Sequence, residues 1–218
     1  MADDRFNITA VYPIRVLSPH GDLTGDAKGD MLAVSPTGAV RLVSTDSSVD
    51  AAGRLNGKAP GSVAVGSNET LLSRIVARAT AGGEAAVIDL REAADGSFSL
   101  IETPYTGGTL KEPRARFEGY AGFDASASLG LYAVDTVHAS LENIAKTLDA
   151  GMPSTGANDG IEELFITEVV PAGVGTAPRL RIYSAPLDGS PTLVGETDAA
   201  ADARILMDDF TGDGTVDL

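Results

Sequence analysis

Two acidic ten-residue segments, 22–31 and 209–218, constrain this chain more than any other feature of its sequence. Both have Asp at positions 1, 5 and 9, Thr at position 3 and an apolar residue at position 10. Alternate side chains of a tight turn converge on one point, where Ca²⁺ takes about six to eight oxygen ligands. The candidate ligands are Asp22, Thr24, Asp26, Asp30, Asp209, Thr211, Asp213 and Asp217, with the position-7 carbonyl oxygens of Lys28 and Thr215. The sequence therefore predicts two calcium-binding loops.

These loops are not EF-hands. An EF-hand loop has a bidentate Glu at position 12, and position 12 of the first segment is Ala33. The residues that follow each loop also resemble the start of a strand rather than a helix. An alternative interpretation remains open, in which the Asp side chains only hydrogen-bond to their own turns.

Short segments rich in apolar and β-branched residues alternate with turn sequences along the rest of the chain, which predicts β-strands. These predicted strands are 8–17, 31–34, 39–43, 71–78, 84–90, 97–102, 114–120, 129–135, 164–170, 180–184, 192–196 and 203–208. A Gly/Ser/Ala-rich connection is predicted over 44–61, and apolar residues at helical spacing predict one short helix over 140–150.

The strand groups recur at an interval of about 47 residues, which is typical of propeller blades. A partial copy of the acidic loop at 155–164 supports this repeat, with acids at positions 5 and 9 and Gly at position 6. The predicted fold is all-β, a β-propeller-like array of short antiparallel sheets in a single domain over 1–218. Its approximate units are 8–68, 69–112, 113–150, 151–202 and a partial fifth, 203–218.

The Asp-x-Thr-Gly-Asp-Gly-x-x-Asp-Leu pattern between short strands resembles the FG-GAP repeat, also called the VCBS-type repeat, of integrin-α-like propellers. The match is good at 22–34 and 209–218, partial at 155–166, and only architectural at 71–102 and 114–135. The resemblance implies that each acidic loop joins the first two strands of a blade and that its Asp residues hold calcium. One departure is Ala27, which stands where the second loop has Gly214.

Charge and composition limit the function classes. The net charge of −15 disfavours binding to nucleic acid or to anionic lipid, both of which need a basic surface. The chain has no Cys, so neither a disulfide framework nor a thiolate metal site is expected. It has no run of apolar residues long enough for a membrane span, and residues 1–5 do not resemble a signal peptide.

No catalytic constellation is recognisable, and both histidines, His20 and His138, are more simply explained as structural. We therefore expect a non-enzymatic, calcium-stabilised binding, adhesion or scaffold module that recognises a protein or glycan at a cell surface or outside the cell. Two alternatives stay open: a structural subunit of a larger assembly such as a virion or tail, and an accessory domain of a secreted hydrolase. An unfinished last blade predicts that this end pairs with another chain or continues in a longer protein.

Overall fold

A computed structural model of the chain describes residues 30–34, 37–43, 48–49, 55–56, 58–78, 85–134, 163–173, 176–186 and 189–199. Within these ranges every regular element is a β-strand and every strand pairing is antiparallel, which confirms the all-β prediction. The predicted helix over 140–150 and the predicted strands over 8–17 and 203–208 lie outside the described residues. None of the described residues forms a helix long and apolar enough to cross a membrane.

The first sheet consists of β1 (Met31–Val34), β2 (Ala39–Val43) and β5 (Lys58–Ser62), in the spatial order β1-β2-β5. Between β2 and β5, β3 (Ser48–Val49) and β4 (Leu55–Asn56) pair as a separate two-stranded ribbon. The interpretation of 44–61 as a plain connection was therefore wrong. Pro60 and Gly61 made β5 look like a turn in the sequence. The structure accommodates them because β5 is an edge strand, where Pro is tolerated, and because its pairing with β2 has a register irregularity, where Gly is tolerated.

The second sheet contains β6 (Glu69–Ala77), β7 (Ala86–Ala93), β8 (Phe98–Thr106) and β10 (Arg114–Tyr120). A two-residue strand, β9 (Thr109–Leu110), also pairs with β8. The hydrogen-bonded order is β10-β8-β7-β6, so apart from β9 each strand pairs with the one before it in sequence. Short turns explain this order, because antiparallel neighbours need only a hairpin to connect them.

The third sheet contains β11 (Ser128–Val134), β12 (Glu163–Val170), β13 (Arg179–Ala185) and β14 (Thr192–Asp198), again in sequential order. The sequence analysis grouped 114–120 and 129–135 in one unit. The pairing distributes these segments between two sheets, because β10 pairs with β8 while β11 pairs with β12.

The second sheet is packed on both faces. One face and the third sheet together form an apolar cluster, which we call the seam: Ala77, Ala86, Ile88, Leu90, Phe98, Leu100, Phe117, Phe123, Leu131, Leu164, Ile166, Tyr183 and Ala185. The other face packs against the first sheet through Leu32, Val34, Val40, Leu42, Val63, Val76, Ala85, Val87 and Tyr105. Residues 86–91 of β7 are consequently all buried, since side chains alternate between two covered faces.

Candidate functional site

Of the ten predicted calcium ligands, Asp30 alone lies within the described residues. It directly precedes β1 and is only 3% exposed. Burial raises the pKa of Tyr105, in the core between the first two sheets, and Asp30 raises it further. The loop that contains Asp209, Thr211, Asp213, Thr215 and Asp217, and the rest of the first loop, lie outside the described ranges.

In the part of the chain that the structure describes, no three His, Cys, Asp or Glu side chains are grouped as a metal site would require. The described ranges contain one of the predicted ligands, so calcium binding stays a prediction. A buried carboxylate at the entrance to β1 fits the chemistry of a hard-cation ligand, which is an oxygen held at the end of a turn.

Three buried carboxylates in the described core are paired with arginine side chains. The first is Asp89 on β7. Asp89 has no exposed surface and accepts two hydrogen bonds from the guanidinium of Arg74, at 2.6 and 2.7 Å. The guanidinium of Arg91 donates to the same carboxylate at 2.8 Å and to Glu69 at 2.9 Å. Arg91 also donates to the carbonyl oxygen of Ala64 at 2.9 Å. These contacts join β6, β7 and the segment before β6.

A second buried carboxylate, Glu102 on β8, is held between two arginines of β10. The guanidinium of Arg114 donates to its Oε1 at 2.6 and 3.0 Å, and Arg116 donates to its Oε2 at 2.8 Å. Glu102 is 1% exposed, whereas the side chain of Arg114 is about half exposed. Both oxygens of this carboxylate therefore have charged donors.

A third buried carboxylate, Glu168 on β12, lies beside the seam and connects β13 with the loop between β10 and β11. Its Oε2 accepts hydrogen bonds from the Tyr183 hydroxyl at 2.8 Å and from Arg181 at 3.4 Å. Its Oε1 accepts from the backbone N–H of Asp124, in the loop between β10 and β11. Arg181 also donates to Glu196 of β14. Burial, followed by the hydrogen bond to Glu168, raises the pKa of Tyr183.

The carboxylates of Asp89, Glu102 and Glu168 already accept hydrogen bonds from charged or hydroxyl donors, so these three clusters hold strands together rather than offer free groups for catalysis. None of these three clusters was predicted from the sequence. A signal was present, because Asp89 interrupts the apolar run Ala86-Val-Ile-Asp-Leu90 and Arg91 follows two positions later on the same face of the strand. Such a charge in a buried strand is stable only when it is paired.

A cavity of about 260 Å³ opens at one end of the seam. It lies where β6, β8 and β11 begin and β7 ends. Three larger apolar side chains, two carboxylates and three small residues line it: Leu72, Phe98, Leu129, Glu92, Asp124, Ala125, Ala127 and Ser128. The loop on its rim is fixed by Asp124, whose Oδ1 accepts hydrogen bonds from the backbone N–H and the hydroxyl of Ser126, at 2.8 and 2.6 Å.

Aromatic contacts form one wall of the neighbouring core. Phe123 makes edge-to-face contacts with Phe98, Tyr120 and Tyr183, with ring centroids 5.2, 4.7 and 5.0 Å away. This cluster holds the loop that contains Asp124 against both sheets. The cavity is thus a preformed feature of the seam and does not depend on the loop residues alone.

No family model, curated protein or solved structure matches this chain.

Proposed function

We propose that the chain is a non-enzymatic, propeller-like binding and scaffold module that calcium stabilises. The observation that carries this proposal is the stacking of the second sheet between two others. A sheet of four sequential antiparallel strands, covered on both faces by neighbouring sheets, is the arrangement of a propeller blade. The contact between β6 and β11, the first strands of the second and third sheets, also supports it, because first strands line the axis of a propeller.

The position of the acidic loops relative to the strands supports the calcium site. The first loop ends at β1, which becomes the second strand of its sheet if 8–17 forms the first. The partial loop at 155–164 ends in the same way at β12, the second strand of the third sheet. Loop spacing and strand pairing are independent observations, and both agree with the FG-GAP arrangement, in which the loop joins the first two strands of a blade.

The boundaries of the proposed units change accordingly. The sheets group the described strands into units over 31–62, 69–120 and 128–198. The predicted strand 8–17 would belong to the first unit, and 203–218 would begin a fourth. The connection between β6 and β7 is then the second unit's equivalent of an acidic loop, and it retains one carboxylate, Glu84. Calcium would therefore bind before β1 and in the terminal loop, while the second unit depends on its apolar packing and on Asp89.

Thermal unfolding in calcium and in EDTA tests the proposal. At a free calcium concentration 100 times Kd, the folded state gains about 2.7 kcal/mol. For a chain of this size, that gain raises Tm by about 5–10 °C. Asp213→Ala should remove the part of this rise that the terminal loop contributes, and Asp22→Ala the part from the first loop.

Asp95→Ala is a matched control, because Asp95 accepts hydrogen bonds from Ser97 within an exposed turn outside both loops. This variant should keep the full calcium-dependent rise in Tm, even though its Tm in EDTA is lower. Equal Tm values in calcium and in EDTA for the unmodified chain would remove calcium from the proposal.

A further inference from the structure

We infer that the cavity at the end of the seam accepts one basic side chain, arginine or lysine, from a protein partner. The inference rests on the proposed role as a binding module, but it does not depend on calcium. The partner would present a basic side chain, and the contact would be at this cavity.

The cavity has the shape and lining that a long cationic side chain needs. Its apolar surface comes from Leu72 of β6, Phe98 of β8 and Leu129 of β11. Arginine and lysine bury their methylene groups along such surfaces and keep the charged group near water. At about 260 Å³ the cavity lies just below the range of drug-sized ligand pockets, which favours one side chain over a cofactor.

The charges that line the cavity are negative. Among the described residues that line it, Glu92 and Asp124 carry carboxylates and none is Lys or Arg. Hydrogen bonds from Ser126 lower the pKa of Asp124, so this group is ionised at neutral pH. Arg181 also lowers that pKa, but its guanidinium already pairs with Glu168 and Glu196. A cation that enters the cavity therefore meets the negative charge of these two carboxylates.

The Asp124 carboxylate and the backbone of Glu92 are held in place before any partner arrives. The backbone N–H of Asp124 is bound by the buried Glu168, and its side chain is bound by Ser126. Glu92 lies on β7, opposite Phe98 in the pairing with β8. Preorganised groups lose little entropy on binding, which strengthens a contact that would otherwise be a weak surface ion pair. The net charge of −15 also attracts basic partners over longer distances.

The test uses three small probes, the acetylated N-methylamides of arginine, lysine and citrulline. Binding is followed by NMR through the methyl signals of Leu72 and Leu129 in the full chain. The two cationic probes should shift these signals, and added salt should weaken their binding. Citrulline has nearly the shape of arginine but no charge, so its affinity should be lower by a factor of about five or more. Equal affinities for citrulline and arginine would overturn the inference.

Three variants locate the contact. Glu92→Gln and Asp124→Asn should each weaken binding of the arginine probe about three- to fivefold, as expected for the loss of one partly exposed ion pair. Asparagine still accepts the hydrogen bonds from Ser126, so the loop should remain in place. Ala127→Leu fills the cavity and should abolish binding, with the fold checked by circular dichroism.

Glu112→Gln removes one exposed charge that does not line the cavity, and its affinity for the probes should equal that of the unmodified chain. If this control weakens binding as much as Glu92→Gln, the attraction is only a property of the net charge and the inference is wrong. The methyl signals report binding at the cavity, whereas Tm in calcium and in EDTA reports calcium binding. Failure of this inference can therefore be told apart from failure of the proposed calcium site.

Discussion

Asp89 shows how one charged residue can be stable at the centre of a sheet. Its carboxylate has no exposed surface, yet Arg74 donates a hydrogen bond to each of its oxygens and Arg91 donates to Oδ2. Desolvation of the three charges is unfavourable, and their mutual attraction offsets much of it. The cluster therefore specifies the register of β6 against β7 more than it adds net stability, because Arg74 and Asp89 are directly opposite in the pairing.

Removal of the carboxylate alone should be strongly destabilising. Asp89→Ala removes the carboxylate that pairs with the buried guanidinium of Arg74 and leaves Arg91 with only Glu69 and the Ala64 carbonyl oxygen. We expect the free energy of unfolding to fall by about 3–5 kcal/mol. Urea denaturation measures this change. The exposed Glu112→Ala serves as the control and should remain within about 0.5 kcal/mol of the unmodified chain. A loss below about 1 kcal/mol for Asp89→Ala would contradict the assigned pairing.

Gly38 is required for a different reason, the close approach of two backbone segments. Its φ is 84°, and a Cβ atom there would lie 2.0 Å from the carbonyl oxygen of Val63. The amide of Val63 donates a hydrogen bond to the Gly38 carbonyl oxygen at 2.8 Å, so the two segments cannot separate without losing it. The turn between β1 and β2 thus holds the residue that follows β5.

The matched pair Gly38→Ala and Gly96→Ala separates the two effects. Gly96 has a similar φ of 79°, but a Cβ atom there meets nothing within 4 Å. Gly96→Ala should therefore destabilise only through its backbone conformation, by about 1–2 kcal/mol. Gly38→Ala should lose about 1–3 kcal/mol more through the steric conflict. Equal losses in urea denaturation would show that the close approach is not limiting.

At the scale of elements, a polar group beside the apolar seam joins the third sheet to the loop that connects it with the second. Glu168 of β12 binds Tyr183 of β13 and the backbone before β11. Phe123 packs against Tyr183 at the same place. The third sheet therefore contacts the second through both a hydrogen-bonded group and an aromatic cluster, and disturbance of one affects the other.

This arrangement predicts a loss of stability in alkali. Burial, and then the hydrogen bond to Glu168, raises the pKa of Tyr183 above the ordinary tyrosine value of about 10. The stability that the neutral hydroxyl provides is fully present below pH 10, and it declines as the pH rises from there toward the raised pKa. Urea denaturation at several pH values from 8 upward should show this decline.

Tyr183→Phe is the informative variant. Near neutral pH it should lose about 1.5–3 kcal/mol, because the hydrogen bond to the Glu168 carboxylate is missing. Above pH 10 its stability should fall less steeply than that of the unmodified chain. Tyr105, Tyr120 and Tyr132 also have raised pKa values, so part of the decline should remain. An identical slope in the variant would exclude Tyr183 from the alkaline transition.

At the scale of the whole molecule, the sequence was sufficient to predict that the described residues form antiparallel β-sheets, but not how the strands are grouped into them. The segment 114–120 was predicted with the bounds that the structure has, because its termini coincide with turn residues. Its assignment to a sheet could not be predicted. The loop between β10 and β11 is short enough that these two strands could equally have paired with each other as a hairpin. Pairing depends on long-range packing, which local patterns do not encode.

The candidate sites differ in the same way. Asp30 could be singled out because calcium loops have a fixed residue spacing. The cavity could not, because Leu72, Glu92 and Leu129 come from three strands that only the stacking of sheets brings together. The buried ion pairs could be predicted in part. An acidic residue within an apolar strand is visible in the sequence, but the arginine that pairs with it is not.

The double coverage of the second sheet has a consequence for synthesis on the ribosome. Its strands are complete once residue 120 has been made, and the first sheet can already cover one of its faces. The face that contains Ile88 and Leu100 must wait for β11, β12 and β13, which end at Ala185. At about 5–20 residues per second, this apolar surface stays exposed for several seconds in every nascent chain. We therefore expect chaperones that recognise apolar strands to meet this protein at that stage, and slower translation between β10 and β13 to increase its aggregation.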